Sequence, residues 1–250
     1  MPNSLITTDG LILKEIDYRE SDTLITVLTR DLGVIFVRAR GSKRVKSKLS
    51  APTGLFAYSN LTLFNSKDRF TLDSADSIDL FFGLHSDIIK LSLAAYICEL
   101  SSLFAPEMEP AEQYLRLALN TLHLLEKDKR PPILLKAVFE LRLTSISGFA
   151  PDLTSCSECM EECREALFSP AEGTLLCPDC GRLCRRPDDI PVSAAALSAM
   201  RHVVYSPPEK IYNFTLSGEP LEQFRRVCER DALYYAEKPP ASLTFLKTLI

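Results

Sequence analysis

Four cysteines in the second half of the chain are the residues whose type and spacing best suit chemistry. Cys156 and Cys159 form one Cys-x2-Cys pair, and Cys177 and Cys180 form another after seventeen intervening residues. Two residues between thiolates let a tight turn present both sulfurs to one ion, and this spacing is typical of four-cysteine zinc sites. The sequence therefore predicts one Zn²⁺ held by these four residues in an insert at about 152–185.

The coordination expected for this zinc makes it structural. Four thiolates fill a tetrahedral shell and leave no position for a substrate water. Disulfides are disfavoured in a cytoplasmic protein, and a redox dithiol would need a thioredoxin-like setting. Cys163 and Cys184 each follow a pair by four residues, so either could replace a ligand, although a role as spare thiols is favoured. Cys98 and Cys228 lie on apolar helix faces and are expected in the core.

A second group of candidate residues is basic. The chain as a whole has a net charge of −4, which gives no general case for nucleic acid, yet residues 32–67 contain no Asp or Glu. A run of one sign without counter-charges favours an anionic partner over a solvated loop. Such residues would attract phosphates in a salt-dependent way. Six basic residues fall within eleven positions: Arg38, Arg40, Lys43, Arg44, Lys46 and Lys48.

Strand periodicity sorts the side chains around the first two of these arginines. The predicted core face carries Ile35, Val37 and Ala39. The predicted binding face carries Phe36, Arg38 and Arg40. Exposed aromatic rings would stack on unpaired bases, but a barrel also needs aromatic residues inside. Both possibilities stay open for Phe36, Phe56 and Tyr58.

The elements that must position these residues follow from the apolar pattern. Runs rich in β-branched residues predict five strands in the first eighty residues, with Gly33 in a tight hairpin turn. The predicted strands are 6–16 with a break near Asp9, 23–29, 34–40, 55–64 and 70–78. From Ser86, a predicted N-cap, the period becomes helical, and three consecutive helices to about residue 147 are expected to pack as a bundle.

The predicted fold class is α+β. Residues 1–80 are expected to form an OB-fold β-barrel that binds nucleic acid. Residues 81–250 are expected to form an α-helical domain with the four-cysteine zinc finger inserted in it. The sequence contains no signal peptide and no apolar run long enough to span a membrane, so we expect a soluble cytoplasmic protein.

Motifs for catalysis are missing from the sequence. The chain has three histidines, none beside a cysteine or a carboxylate cluster, and it has neither GxxxxGK[ST] nor GxGxxG. These observations argue against a nucleophile with its base, nucleotide hydrolysis and dinucleotide binding. We expect a protein that is not an enzyme.

The order of these features resembles the bacterial RecO family of DNA repair and recombination mediators, over nearly the whole chain. The segments that carry the resemblance are TDGLIL at 8–13, YRESD at 18–22, VRARGSKR at 37–44, FELRL at 139–143, GFAP at 148–151, CSEC at 156–159 and GTLLC at 173–177 followed by Cys180.

The resemblance implies an OB fold, a helical domain with a zinc finger, and a non-enzymatic role in the RecF pathway near the nucleoid. RecO-like proteins bind single- and double-stranded DNA and anneal complementary strands. With RecR they help RecA load on strands coated by single-stranded DNA-binding protein. The residues that would contact DNA are Arg38, Arg40, Lys43 and Arg44, helped by Lys46 and Lys48.

The resemblance also implies a groove for the acidic C-terminal tail of single-stranded DNA-binding protein. Candidates are Lys136, Phe139 and Arg142, although a buried Phe139 and a solvated Arg142 fit the pattern equally well. Two other hypotheses stay open for the whole chain. One is a zinc-stabilised interaction scaffold whose basic strip meets an acidic protein, without direct DNA binding. The other is an RNA-binding regulator.

Overall fold

The computed structural model describes residues 4–67, 69–236 and 238–250. The chain forms two compact units, Met1–Lys129 with Pro240–Ile250, and Arg130–Pro239. Strands dominate the beginning of the chain and helices most of the remainder, which confirms the predicted α+β class with an OB-like sheet and a helical C-terminal part. The domain boundary expected near residue 80 stays a prediction.

Five strands of the first unit close into a barrel in the order β1-β2-β3-β5-β4. All pairs are antiparallel except β3 with β5, which run parallel. The strands are β1 (Ser4–Tyr18), β2 (Asp22–Thr29), β3 (Gly33–Ala39), β4 (Tyr58–Ser66) and β5 (Arg69–Asp79).

The break expected in the first strand near Asp9 is wrong, because β1 continues through it. At Gly10 the strand pairs with Ser59 on one side and with Thr29 on the other, so β1 is shared between β4 and β2 there. A Cβ on Gly10 would lie 2.5 Å from Cγ1 of Val27. Glycine is therefore required by a close approach of two strands and does not end the strand.

The barrel interior is filled by the apolar faces of the strands. The face of β3 predicted to be core is buried, at 2% exposure or less for Ile35, Val37 and Ala39. Burying each large apolar side chain stabilises the fold by about 1.5–3 kcal/mol. The hairpin before β3 turns at Gly33, whose φ of 62° is the left-handed conformation expected there.

In the described part of the first unit, the α-helices are α1 (Ile88–Phe104), α2 (Glu112–Glu126) and α7 (Ala241–Leu246). Asp87 caps α1, because its Oδ1 accepts hydrogen bonds from the backbone N–H groups of Ile89 and Lys90 at 2.8 and 3.0 Å. The predicted cap at Ser86 is thus displaced by one residue. Glu99 of α1 accepts the N–H groups of Ala241 and Ser242, which holds the start of α7.

The second unit combines helices with a small sheet. Its elements are α3 (Pro132–Thr144), β6 (Ala166–Ser169), β7 (Thr174–Leu176), α4 (Pro178–Cys184), β8 (Ile190–Val192), α5 (Ala194–Tyr205) and α6 (Gly218–Tyr235). In this unit α3 packs against α5 and α6, and the strands form a sheet in the order β7-β6-β8. The expected bundle of the first three helices is wrong, since α1 and α2 lie in the first unit and α3 in the second.

No helix among the described residues is both apolar and long enough to cross a bilayer.

Candidate functional site

The four predicted metal ligands meet at one point of the second unit. Cys156 forms a β-bridge with Leu175 of β7, Cys177 is the N-cap of α4, and Cys180 lies in that helix. The sulfur atoms of all four cysteines lie within 4.8 Å of one another. The β6-β7 hairpin and the first turn of α4 therefore bring the two Cys-x2-Cys pairs together.

The spacing of the sulfurs fits a single tetrahedral ion. Zn–S bonds of about 2.3 Å require sulfurs about 3.8 Å apart. The Sγ atoms of Cys159 and Cys177 are 3.8 Å apart. The backbone N–H of Cys177 donates to Sγ of Cys156 at 3.3 Å, and the N–H of Cys180 donates to Sγ of Cys177 at 3.4 Å. Such N–H···S contacts stabilise thiolates, the form that binds a metal.

The environment of Cys156 favours its charged form. Burial opposes ionisation of this fully buried thiol, but the backbone N–H groups of Cys159, Cys177 and Glu158 outweigh it and lower the pKa to about 6. Its sulfur is therefore suited to release a proton and accept a cation near neutral pH.

The two additional cysteines lie outside the cluster. Cys163 is buried, and desolvation, together with the neighbouring thiolates, raises its pKa to about 11. Cys184 is exposed at the end of α4. Neither belongs to the group of sulfurs that could share an ion among the described residues. Cys98 and Cys228 are buried as predicted.

Arg201, which the sequence pattern does not mark, supports the cysteine insert. Arg201 of α5 donates from Nε to the carbonyl of Leu153 at 2.7 Å and from Nη2 to the carbonyl of Cys163 at 3.0 Å. These bonds tie the loop on both sides of the first cysteine pair to a helix. No sequence motif marks such an arginine, because its partners are backbone carbonyls.

On the barrel, the predicted basic residues lie on β3 and in the turns that follow it. Arg40, Arg44 and Lys46 are exposed. Arg38 and Lys43 instead have acidic partners, Asp22 and Asp17 respectively. The assumption that this run lacks counter-charges is therefore wrong. Its counter-charges are carboxylates of β1 and β2, which lie outside the run in the sequence.

The pair of Arg38 and Asp22 has close geometry. Nε and Nη2 of Arg38 donate to Oδ2 of Asp22 at 3.1 and 2.6 Å. The backbone N–H of Gly41 donates to Oδ1 at 2.9 Å. The Gly41 N–H first, and the Arg38 guanidinium second, hold the pKa of Asp22 below its ordinary value.

A groove of about 910 Å³ lies beside these arginines on the barrel, and we call it the barrel groove. Arg38 on β3 is opposite Thr71 on β5, which is opposite Phe64 on β4. Adjacent strands are about 4.8 Å apart, so Arg38 and Phe64 stand about 10 Å apart in one row. The groove places aromatic rings beside cations: Tyr18, Phe36, Phe64 and Phe70 beside Arg38, Arg40, Lys67 and Arg69.

The aromatic residues left open by the sequence take different positions. Phe36 is 61% exposed and lies in the barrel groove. Phe56 is fully buried and packs against the ring of His85, with 5.7 Å between centroids. Tyr58 is half-buried. Basic and aromatic residues outside the basic run also line this surface although no sequence motif marks them, among them Tyr18, Lys67 and Arg69 in the groove and Arg19 beside Arg38 and Arg40.

The three predicted partner contacts do not form an exposed groove. Lys136 is 1% exposed, and its Nζ contacts Glu140 and Glu229 at 2.7 and 2.8 Å. Phe139 is fully buried. Arg142 is half-buried and donates from Nη1 to two backbone carbonyls of α5, at 3.1 and 2.8 Å. A peptide at the surface would meet neither Lys136 nor Phe139.

The interior around these residues contains a carboxyl group, Asp231, with an unusual proton affinity. Its Oδ2 accepts a hydrogen bond from Thr144 at 2.9 Å, while Oδ1 has no hydrogen-bond partner among the described residues. Burial, which the Thr144 hydroxyl partly offsets, raises the pKa of Asp231 to about 7, and Glu140 also acts to raise it.

We expect Asp231→Asn to stabilise the protein at pH 8 more than at pH 5. Between the unfolded pKa near 4 and the folded pKa near 7, only the folded state keeps the proton, so stability falls as pH rises through this range. The neutral amide removes that loss, which amounts to about 2–4 kcal/mol by pH 8. Urea unfolding at both pH values measures the difference, with the exposed Asp188→Asn as control. An equal change in the free energy of unfolding at both pH values would contradict a raised pKa for Asp231.

Comparisons with known proteins cover almost the whole chain. Residues 1–81 match the family described as "Recombination protein O N terminal", and residues 85–244 match "Recombination protein O C terminal". The chain is 33% identical over 245 residues to the "DNA repair protein RecO" of Acetivibrio thermocellus, covering 98% of this chain and 97% of that protein. It is 31% identical over 254 residues to the "DNA repair protein RecO" of Symbiobacterium thermophilum, covering 98% of each.

Proposed function

Since the chain belongs to the RecO family of DNA repair proteins, we propose that it is a non-enzymatic mediator of the RecF pathway. It binds single- and double-stranded DNA and anneals complementary strands. With RecR it helps RecA load on strands coated by single-stranded DNA-binding protein, in the cytoplasm at the nucleoid. The observation that carries this proposal is the barrel groove, where exposed aromatic rings lie beside four cationic side chains.

The groove offers the two interactions that an unpaired strand needs. Arg38, Arg40, Lys67 and Arg69 attract phosphates and release counterions from the strand. The exposed ring of Phe36 is suited to stack on a base, an interaction that tolerates any sequence. A duplex offers its phosphates but keeps its bases stacked, so it contacts the basic residues alone.

Annealing requires no covalent step. Two complementary strands repel each other through their phosphates, and a protein that neutralises phosphates on both strands lowers that repulsion. Beyond Arg40, which lines the groove, the exposed side chains of Arg44 and Lys46 follow in the chain and extend the cationic surface available to a second strand. Lys43 and Lys48 are proposed to assist them.

We propose that the four-cysteine centre binds one Zn²⁺ with a structural role. Four sulfur ligands at tetrahedral spacing suit this ion, and a closed shell leaves no site for a reacting molecule. Cys156, Cys159, Cys177 and Cys180 would join the loop before β6 to the start of α4.

The function is tested by salt-titrated binding of the full protein to three labelled substrates. These are a single strand, its duplex, and the same strand coated with single-stranded DNA-binding protein. We expect the affinity for DNA to fall steeply as the salt concentration rises. We also expect the coated strand to anneal to its complement faster with the protein than without it. If the protein ignores bare DNA but still binds the coating protein, the interaction-scaffold hypothesis replaces the mediator.

For the acidic tail of single-stranded DNA-binding protein, we propose a site other than the predicted one. A cleft of about 540 Å³ in the second unit has an apolar floor that includes Leu167 and Val192. Arg182 and Arg185 are exposed at its rim, and Arg185 has no acidic partner within 4 Å among the described residues. We call this the insert cleft.

One end of the insert cleft suits a carboxylate. Ser193, the N-cap of α5, lines the cleft, and its hydroxyl is buried without a hydrogen-bond partner among the described residues. The first backbone N–H groups of a helix also attract anions. Glu165 also lines the cleft, and Arg182 already pairs with Asp179 at 2.6 Å, so Arg185 is the cation that remains for a carboxylate.

We expect Arg182→Glu with Arg185→Glu to weaken binding of a labelled tail peptide by about tenfold or more, because like charges then meet at the rim. Fluorescence anisotropy with the full protein measures the affinity. Arg164→Glu with Arg186→Glu is the matched control, since both residues are exposed in the same insert but do not line the cleft. Equal losses in both double variants would assign the effect to net charge and reject the cleft.

A further inference from the structure

An acidic residue lies at the centre of the cationic surface. Asp22 begins β2 and is 8% exposed. It lines a cavity of about 450 Å³ together with Arg19, Arg38, Arg40, Gly41 and Arg44. We call this cavity the arginine pocket. A carboxylate at this position repels a phosphate, so a role of Asp22 in DNA binding must come from what it does to its neighbours.

Asp22 uses both of its oxygens to fix neighbouring groups. Oδ2 accepts two hydrogen bonds from the Arg38 guanidinium, and Oδ1 accepts the backbone N–H of Gly41. Gly41 has a φ of 66°, and its carbonyl accepts the N–H of Arg44 at 3.2 Å. The Asp22 carboxylate thus anchors Arg38 on β3 and also the turn from Gly41 to Arg44.

The guanidinium of Arg38 is also held from a second side. Its carbon lies 5.3 Å from the centroid of the Tyr18 ring, a cation–π distance. Arginine has five N–H donors, and Asp22 takes two of them, so about three remain for another acceptor. The group is therefore held in place but keeps donors for a phosphate.

We propose that Asp22 is a positioning residue of the DNA-binding surface, which holds Arg38 and the Gly41–Arg44 turn so that the arginine pocket receives a phosphate of the bound strand. The inference rests on the proposed function. Without the carboxylate, the long Arg38 side chain must be immobilised when DNA binds, and this ordering weakens association. Preorganisation outweighs the repulsion between Asp22 and the phosphate, because Arg38 already neutralises the carboxylate.

The test compares two substitutions that add the same charge. Asp22→Asn removes the anchor, while Asp17→Asn removes an exposed carboxylate whose partner is Lys43. We expect Asp22→Asn to weaken single-strand binding by about tenfold, since an immobilised side chain is worth that order of affinity. We expect its salt slope to become shallower by about 0.7, the value of one phosphate contact. Asp17→Asn should bind as tightly as the wild type or more tightly.

Two further measurements separate positioning from folding. Arg38→Lys keeps the charge but lacks the planar guanidinium that donates from two nitrogens to Oδ2 of Asp22, so it should show the same loss. Combining it with Asp22→Asn should add little. Thermal melting of each variant reports on stability. If the wild type binds DNA and either Asp22→Asn or Arg38→Lys binds as tightly as the wild type, the positioning role is overturned while the proposed function stands. If wild type shows no salt-dependent binding, the proposed function fails with it.

Discussion

Removal of the zinc proposed for the four-cysteine centre is expected to lower the melting temperature and to unfold the insert around it. Structural zinc contributes about 10–16 kcal/mol of apparent binding free energy in small zinc domains, and this energy is also folding energy. The insert around the cluster contains only two strands of three and four residues and one helix of seven residues. Such short elements bury too little apolar surface to persist alone.

The experiment measures metal content and melting before and after treatment with a zinc chelator under reducing conditions. We expect one equivalent of zinc in the untreated protein. Cys156→Ser should abolish zinc binding, since this buried sulfur accepts a backbone N–H at the centre of the cluster. Cys184→Ser, at an exposed thiol outside the cluster, should keep the full equivalent. An unchanged melting curve after verified metal loss would overturn the structural role.

Local patterns predicted those features that a single element determines by itself. The Cys-x2-Cys spacing is sufficient to identify which four of the eight cysteines come together, because each pair occupies one turn and the hairpin between the pairs closes the cluster. The alternation along β3 separated the buried Val37 from the exposed Phe36, because a strand in a barrel has one dry face. The resemblance to the RecO family, carried by short motifs, is confirmed by the comparisons.

Alternation could not decide between the two positions left open for Phe56, and the reason is physical. The strand predicted from residue 55 begins only at Tyr58, and Phe56 has a φ of 69° in the turn before it. The backbone N–H of Phe56 donates to the carbonyl of Ile12 at 3.0 Å, which directs this segment against β1. A period-two pattern cannot detect a left-handed residue, so it could not place Phe56, which is buried.

Properties that depend on partners distant in the sequence were not predictable. The acidic partners of Arg38 and Lys43 come from β1 and β2, so the basic run contains no sign of them. Lys136 resembled a surface cation until Glu229, ninety-three residues later, was found beside it in the interior. Burial opposes the charged form of Lys136, but Glu140 and Glu229 outweigh it and raise its pKa. Helical periodicity likewise identified α3 but not the helices against which it packs.

Reversal of two charges beside the barrel groove is expected to remove most of the DNA affinity. Arg40→Glu with Lys43→Glu changes the local charge by four units and places a new carboxylate at position 43 next to Asp17, the present partner of Lys43. Loss of two phosphate contacts should lower the salt slope by about 1.4 for a single strand. Because the new carboxylates also repel phosphates, affinity should fall by about a hundredfold at low salt, with less difference at high salt.

The matched control applies the same change of charge to the second unit. Lys210 and Arg226 are both exposed, so Lys210→Glu with Arg226→Glu alters net charge equally without touching the barrel. If DNA senses only net charge, the two double variants should lose affinity alike and keep the wild-type slope. If the barrel surface binds the strand, only the variant with Arg40→Glu and Lys43→Glu shows both a lower affinity and a shallower salt slope. A wild-type slope in the Arg40 and Lys43 variant would therefore reject this surface, because a contact that releases no counterions was not made to a phosphate.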